Sequence, residues 1–242
     1  MFVWTASLGF RASHDFCKRK AIFAIDPHST SKIVCVARNY SDKEAERIAP
    51  LEDRMNDSSI FMKPPSSITS LSPIVKLNGY TDLICETELA LILGTPIPRA
   101  VPLEDDETIL SAICGVALAF DFTRKDLQNA LKSQGKPWEL AKAFDDACPM
   151  SKVIPIESVD LRSPLDIVLK VNGKVELNQP TSQMILPVVD LVRTITRHIS
   201  LWPGDIILTG TPTLPNQPPR LKSGDRLVAS IGTLLSIKTE VI

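Results

Sequence analysis

The stretch ICETELALILG, residues 84–94, sets two glutamates two positions apart in an apolar run. In an extended strand, Glu86 and Glu88 point to one face, which they share with Ile84, Ala90 and Ile92. An ionised carboxylate buried without a partner costs several kcal/mol or more, and two such groups side by side repel. A second apolar run, ILSAICGVALAFDFT, ends in another acid, Asp121, after a segment with no polar residue from Ile113 onward. A chain that carries these acids either turns them to solvent, as antiparallel strands commonly do, or gathers them around a cation. A hard divalent ion such as Mg²⁺, Mn²⁺ or Ca²⁺, which takes oxygen ligands, would remove the repulsion.

The remaining pattern is dominated by strands. KIVCVA reads as a buried strand, and SIFMKPPSS as a strand stopped by prolines. Two strands flank Asn172-Gly173, a strong hairpin signal, and GDIILTG and DRLVASIGTLLSIKTEVI read as further strands. Helices are expected in SDKEAERIA with Ser41 or Asp42 as cap, and in TRKDLQNALKSQG with Thr123 as cap and Gly135 as stop. Another is expected in LPVVDLVRTITRHIS, whose apolar residues recur at 188, 191/192, 195 and 199. The expectation is an α+β fold with a mixed, curled β-sheet core and a few peripheral helices. The regions between Gly94 and Glu107 and over TPTLPNQPPR read as proline-bearing loops.

The chain divides into an N-terminal extension, residues 1–31, and one domain, residues 32–242. The extension mixes apolar, hydroxylated and basic residues; it suits either a targeting segment or a poorly ordered tail, since Asp15 and Asp26 count against the former. With 27 basic and 28 acidic residues, the formal net charge of −1 gives no reason to expect nucleic acid or an anionic membrane as partner. The basic cluster CKRK at 17–20 is too short to alter that. No apolar stretch reaches the roughly 18 residues of a membrane span. Five cysteines without C-x-x-C spacing, several inside apolar runs, suit reduced thiols in a reducing compartment, cytoplasmic or mitochondrial.

Taken in order, KIVCVARNYSDKEAE, IFMKPPSS, CETELALILG, ALAFDFTRKDLQ, KPWELAKAFDDACPMS, VNGKVELNQPTSQMI and GDIILTGTP resemble the fumarylacetoacetate hydrolase family from about Lys32 to the C-terminus. The nearest resemblance is to its small acylpyruvate hydrolase and oxaloacetate decarboxylase or tautomerase members. It implies that Glu86, Glu88 and Asp121 hold Mg²⁺ or Mn²⁺, which chelates a small 2-oxo acid and stabilises its enolate. It further implies that Lys142, in LAKAF, holds substrate or moves protons with a pKa lowered by neighbouring positive charge. Arg38, Lys63, Lys125 and Thr211 stand where substrate contacts are expected, and a homodimer is implied.

The lid departs most from the family pattern. Active hydrolases of this kind carry a histidine in the first lid helix, oriented by a glutamate; here the stretch reads RNYSDKEAE, with Lys43 at the histidine position and Glu46 at the glutamate position. A lysine near pKa 10.4 is protonated at pH 7 and takes no proton from water. Of the three histidines, His14 and His28 fall in the extension and His198 closes a predicted helix, where a cation suits the helix dipole. Other departures are Ala37 before RNY, Ile84-Cys85 before the acidic pair, Lys125 next to Arg124, and no glycine-rich run after TGTP. Enolate chemistry on oxaloacetate or an acylpyruvate is therefore expected to survive better than hydrolysis. The alternative is a degenerate, non-catalytic metal- or metabolite-binding relative.

Overall fold

The computed structural model describes residues 23–57, 59–99, 105–214 and 217–242. His14, Cys17 and the CKRK cluster lie outside the described residues, as do parts of both proline-bearing loops. Strands run, in chain order, over Ile33–Ala37 (β1), Ser59–Lys63 (β2), Ile68–Ser70 (β3), Ile74–Val75 (β4), Leu83–Leu93 (β5), Ile113–Arg124 (β6) and Cys148–Met150 (β7). They continue with Ile154–Pro155 (β8), Asp166–Val171 (β9), Lys174–Pro180 (β10), Ile206–Leu208 (β11), Arg226–Ile231 (β12) and Leu235–Val241 (β13). Helices cover Glu44–Ile48 (α1), Leu51–Asp57 (α2), Asp106–Ala112 (α3), Lys125–Ser133 (α4) and Val188–Thr196 (α5).

One mixed sheet has the order β2-β1-β11-β5-β6-β7-β3, with β8 also on β6; the other has the order β10-β9-β12-β13-β4. The first sheet curls until its edge strand β2 faces β6 across the concave side. Lys63 at the end of β2 donates to the Phe122 carbonyl on β6 at 3.1 Å, although three strands separate them in the order.

The period-2 pleat divides β5 and β6 between two cores. Leu89, Leu91 and Leu93 with Leu118, Phe120 and Phe122 face the second sheet, where they meet Ile167, Leu169, Leu227 and Ile231. Ala90, Ile92, Ala117 and Ala119 face into the curl, against Ile33, Cys35, Cys148, Met150, Ile206 and Leu208. Burying each large aliphatic or aromatic side chain contributes about 1.5–3 kcal/mol, and both faces of this hairpin do so. That double burial explains why the two runs look almost continuously apolar.

The Asn172-Gly173 hairpin forms as expected, with both residues in the left-handed region at φ 52° and 84°. Gly173→Ala should cost about 1 kcal/mol in urea denaturation, because an L side chain resists that conformation although open space surrounds it. The helix α5 and the stop of α4 before Gly135 also match the sequence pattern.

Three local expectations are corrected. Thr123 does not cap α4; it is buried in the last turn of the β6 pleat, and Arg124 precedes the helix. Neither Ser41 nor Asp42 caps α1, whose first residue follows Lys43; the Ser41 hydroxyl instead accepts from the Lys43 N–H at 3.1 Å and donates to Glu46 at 2.7 Å. The apolar run at 109–113 is split: Asp105 accepts from the Glu107 N–H and starts α3, which hands over to β6 at Ile113. Part of the stretch assigned to the extension also packs on the domain. Phe23 is buried and bridges Val153, and Thr30 is buried.

Candidate active site at the mouth of the curl

The inward row of β5 reads Ile92, Ala90, Glu88, Glu86 toward its N-terminal end, and that of β6 reads Ala117, Ala119, Asp121, Thr123. The apolar lining of the curl gives way to carboxylates where the sheet opens. Glu86 pairs directly opposite Asp121 in the antiparallel register, and Glu88 stands opposite Ala119. Like charges facing each other across two strands are destabilising, so the surroundings must compensate.

Two ammonium groups do so. Lys142 follows a short 3₁₀ turn at Glu139–Ala141 and is only 5% exposed. Its Nζ donates to Glu86 Oε2 at 2.7 Å and to Asp121 Oδ2 at 2.5 Å. Lys63, 1% exposed, pairs with Asp121 Oδ1 at 2.8 Å and donates to the Lys142 carbonyl. Burial would push the Asp121 carboxyl up, but Lys142 and Lys63 outweigh it and hold it below the usual range. Burial likewise opposes the charge of Lys142, yet Asp121 and Glu86 raise it above the ordinary lysine value. The expected lowering of Lys142 is thus reversed, because its nearest neighbours are carboxylates.

Glu88 is 3% exposed and accepts from the Gly210 N–H at 2.7 Å. Burial, then the charges of Asp121 and Glu86, push its carboxyl well above the usual range. Gly210 has φ 90°, and a Cβ there would meet the Val36 carbonyl at 3.0 Å, so the loop can present its N–H to Glu88 only because that residue is glycine.

Glu86, Glu88, Asp121 and Lys142 line a cavity of about 430 Å³ together with Arg38, Lys125, Thr211, Thr123, Gln128 and Trp138. Thr211 fixes its hydroxyl by donating to the Thr87 carbonyl at 3.1 Å. Arg38 is exposed and holds φ 63°, an unusual conformation for a bulky residue and a form of strain that clusters at functional sites. Two candidates are not brought to this cavity. Lys63 lies behind Asp121, sealed from solvent, because its ammonium serves as a buried counter-ion. Glu46 lines a neighbouring cavity of about 480 Å³, shared only through Arg38. There Glu46 is tied to Lys43 at 2.9 Å and to Ser41.

Sequence reasoning missed Thr123, whose hydroxyl donates to Glu86 at 3.0 Å, and Gln128 and Trp138 on the cavity wall. Thr123 shares the parity of Asp121, which was the available signal.

The donor set suits a hard divalent ion. All three carboxylates are oxygen donors at one mouth, and they outnumber the two ammonium groups. As the side chains stand, no group of three or more His, Cys, Asp or Glu among the described residues is arranged to hold a metal. The Lys142 ammonium lies between Glu86 and Asp121, and it must give way for both to share an ion.

The family model described as Fumarylacetoacetate (FAA) hydrolase C-terminal matches residues 32–242. Mitochondrial oxaloacetate tautomerase FAHD1 of Bos taurus is 35% identical over 212 residues, covering 86% of this chain and 90% of that protein. Oxaloacetate tautomerase YcgM of Escherichia coli (strain K12) is 33% identical over 211 residues, covering 86% and 91%. The crystal structure of fumarylpyruvate hydrolase from Pseudomonas aeruginosa in complex with Mn²⁺ and pyruvate matches with a TM-score of 0.75 at 27% identity, covering 88% of this chain and 90% of that one. Its sequence, its fold and the acids at the mouth of its curled sheet agree: this chain belongs to the fumarylacetoacetate hydrolase family.

Proposed function

We propose that this chain is a divalent-metal-dependent enzyme of small 2-oxo acids, which interconverts the enol and keto forms of oxaloacetate or decarboxylates it in preference to hydrolysing acylpyruvates. The observation that carries the reading is a cavity with three carboxylates and Lys142 at its base and, among the described residues, no histidine on its wall. Glu86, Glu88 and Asp121 would hold Mg²⁺ or Mn²⁺. When bound, the ion would supply a Lewis acid that draws off negative charge from the 2-oxo group and the adjoining carboxylate.

The chain's own residues supply the rest. Lys142 would hold the acid through its ammonium, which Glu86 and Asp121 keep protonated; moving a proton at C3 would require the Nζ to leave those two carboxylates. Arg38 and Thr211 line the same space, and the Arg38 guanidinium can orient a carboxylate; the Thr211 hydroxyl would do so only by releasing the Thr87 carbonyl. Lys125 adds a further positive charge. The names of the relatives support the substrate class: two are oxaloacetate tautomerases, and the fumarylpyruvate hydrolase holds Mn²⁺ with pyruvate.

Hydrolysis needs a base for water, and the lid offers none. The hydrogen bond from Lys43 to Glu46 raises the Lys43 ammonium above its ordinary value, and the same bond lowers Glu46. His28 and His198 are exposed and line neither cavity. Replacing Lys43 by histidine should raise acetylpyruvate hydrolysis by about 10²-fold, the low end of a general-base contribution, while leaving oxaloacetate conversion little changed. Wild-type hydrolysis already equal to that of the Lys43→His variant would remove the argument from the lid.

The direct test follows oxaloacetate enol–keto conversion, decarboxylation and acetylpyruvate cleavage with Mg²⁺, with Mn²⁺ and with EDTA. Turnover of oxaloacetate that EDTA abolishes is the expected result. The altered lid favours a second reading, a metal- or metabolite-binding protein without turnover, which absence of all three activities would select. The family resemblance adds a homodimer to the proposal. The mitochondrial relatives, together with buried free Cys35, Cys85, Cys114 and Cys148, add a reducing compartment, mitochondrial or cytoplasmic. No helix among the described residues is long and apolar enough to cross a membrane.

A further inference from the structure

One wall of the cavity carries more positive charge than a four-carbon acid needs. Lys125, Gln128 and Lys132 lie at i, i+3 and i+7 of α4 and all line the cavity. The acid on the same helix, Asp126, is turned outward and held by Arg220 through two bonds of 3.1 and 2.6 Å. Lys125 reaches only the Gln128 side-chain oxygen, at 3.4 Å, and neither Lys125 nor Lys132 forms an ion pair among the described residues. The helix thus segregates its charges: Lys125 and Lys132 border the cavity with no carboxylate paired to either among the described residues, and Lys132 stands exposed at its rim.

Lys132 is also positioned. Its Nζ sits over the Trp138 ring at 5.2 Å. Trp138 meets Phe61 edge-on at 5.4 Å between centroids, and the Phe61 ring lies 4.9 Å from Lys142 Nζ. Two aromatic rings therefore separate the ammonium at the acidic cluster from the ammonium on α4. The volume, about 430 Å³, lies in the range of sites that enclose ligands well above the size of oxaloacetate.

We propose that Lys132 is a specificity-determining residue, receiving the distal carboxylate of an extended dicarboxylic 2-oxo acid whose chain lies along Phe61 and Trp138. This inference rests on the reading of the acidic cluster as the seat of the 2-oxo acid end. It adds a length preference: a second carboxylate two or more carbons beyond that of oxaloacetate gains a contact that oxaloacetate does not reach.

The test is calorimetric binding to the full chain with Mn²⁺, using oxalate, oxaloacetate and the six-carbon 2-oxoadipate, in wild type, Lys132→Met and Lys132→Arg. Lys132→Met should weaken 2-oxoadipate about tenfold, the effect of one charge-assisted contact at an open site, and leave oxalate unchanged. Lys132→Arg should retain most of the affinity. The 6-monomethyl ester of 2-oxoadipate should bind wild type and Lys132→Met equally. Equal losses for oxalate and 2-oxoadipate, or no loss for either, overturn the proposal while the acidic cluster keeps its assignment. If wild type binds none of the three acids in the presence of Mn²⁺, the reading of the cluster itself fails, and the proposal falls with it.

Discussion

Glu88→Gln should lower kcat/KM for oxaloacetate by about 10³-fold or more, since several kcal/mol of charge stabilisation depend on the ion this carboxylate would help to hold. Mn²⁺ affinity, measured by titration calorimetry, should fall with it. The same substitution should leave the protein without added metal about 1 kcal/mol more stable, as read by urea denaturation with EDTA. Glu88 is nearly sealed from water, close to two other acids, and its carboxyl is already pushed toward the neutral form. A neutral amide of the same shape can still accept from the Gly210 N–H and removes the repulsion. Opposite signs for activity and stability mark a residue kept for chemistry. A variant that lost both together would show instead that Glu88 supports the fold, and the assignment of the acidic cluster would not stand.

Lys63→Met should destabilise the domain by about 3 kcal/mol, the lower end of the cost of breaking a buried ion pair. Methionine matches the length of the stem, so the change isolates the charge. It leaves Asp121 with Lys142 alone and withdraws the donor from the Phe122 and Lys142 carbonyls, which tie the β2 edge to β6 and to the loop that carries Lys142. The double variant Lys63→Met with Asp121→Asn should recover much of that loss, because the stranded charge is gone. A loss below about 1 kcal/mol for the single variant would mean that the ion pair is weakly coupled to folding.

The sequence carried the strands, the Asn172-Gly173 hairpin and the α5 periodicity, because each is written in local chemistry. It also carried the parity of Glu86 and Glu88 with Ala90 and Ile92, which put the acids on the face that lines the curl. It could not show what meets them. Lys63 stands in the sequence where a substrate contact is expected, yet curling of the sheet brings it beneath Asp121 as a buried counter-ion. The sign of the Lys142 shift is hidden from the sequence for the same reason: its partners, Glu86 and Asp121, are 56 and 21 residues away in the chain. The helical residues downstream of Thr123 suggest a cap, but the strand upstream decides its direction. Glu46 follows the family pattern in sequence, but its hydrogen bonds to Lys43 and Ser41 hold it beside the second cavity.

The pleat of β5 also limits how such a site can be remodelled. A side chain moved by one position turns to the opposite face of the sheet, against the second layer, so an acid can be relocated only two residues at a time, in rungs of about 7 Å. Ile84 is the next rung outward, on the cavity wall, and Ala90 the next inward, in the closed lining. A redesign that sought a deeper or shallower seat for the same chemistry would have to jump a whole rung on β5 and a matching one on β6. Intermediate depths are reachable only by lengthening or shortening the side chain, glutamate for aspartate.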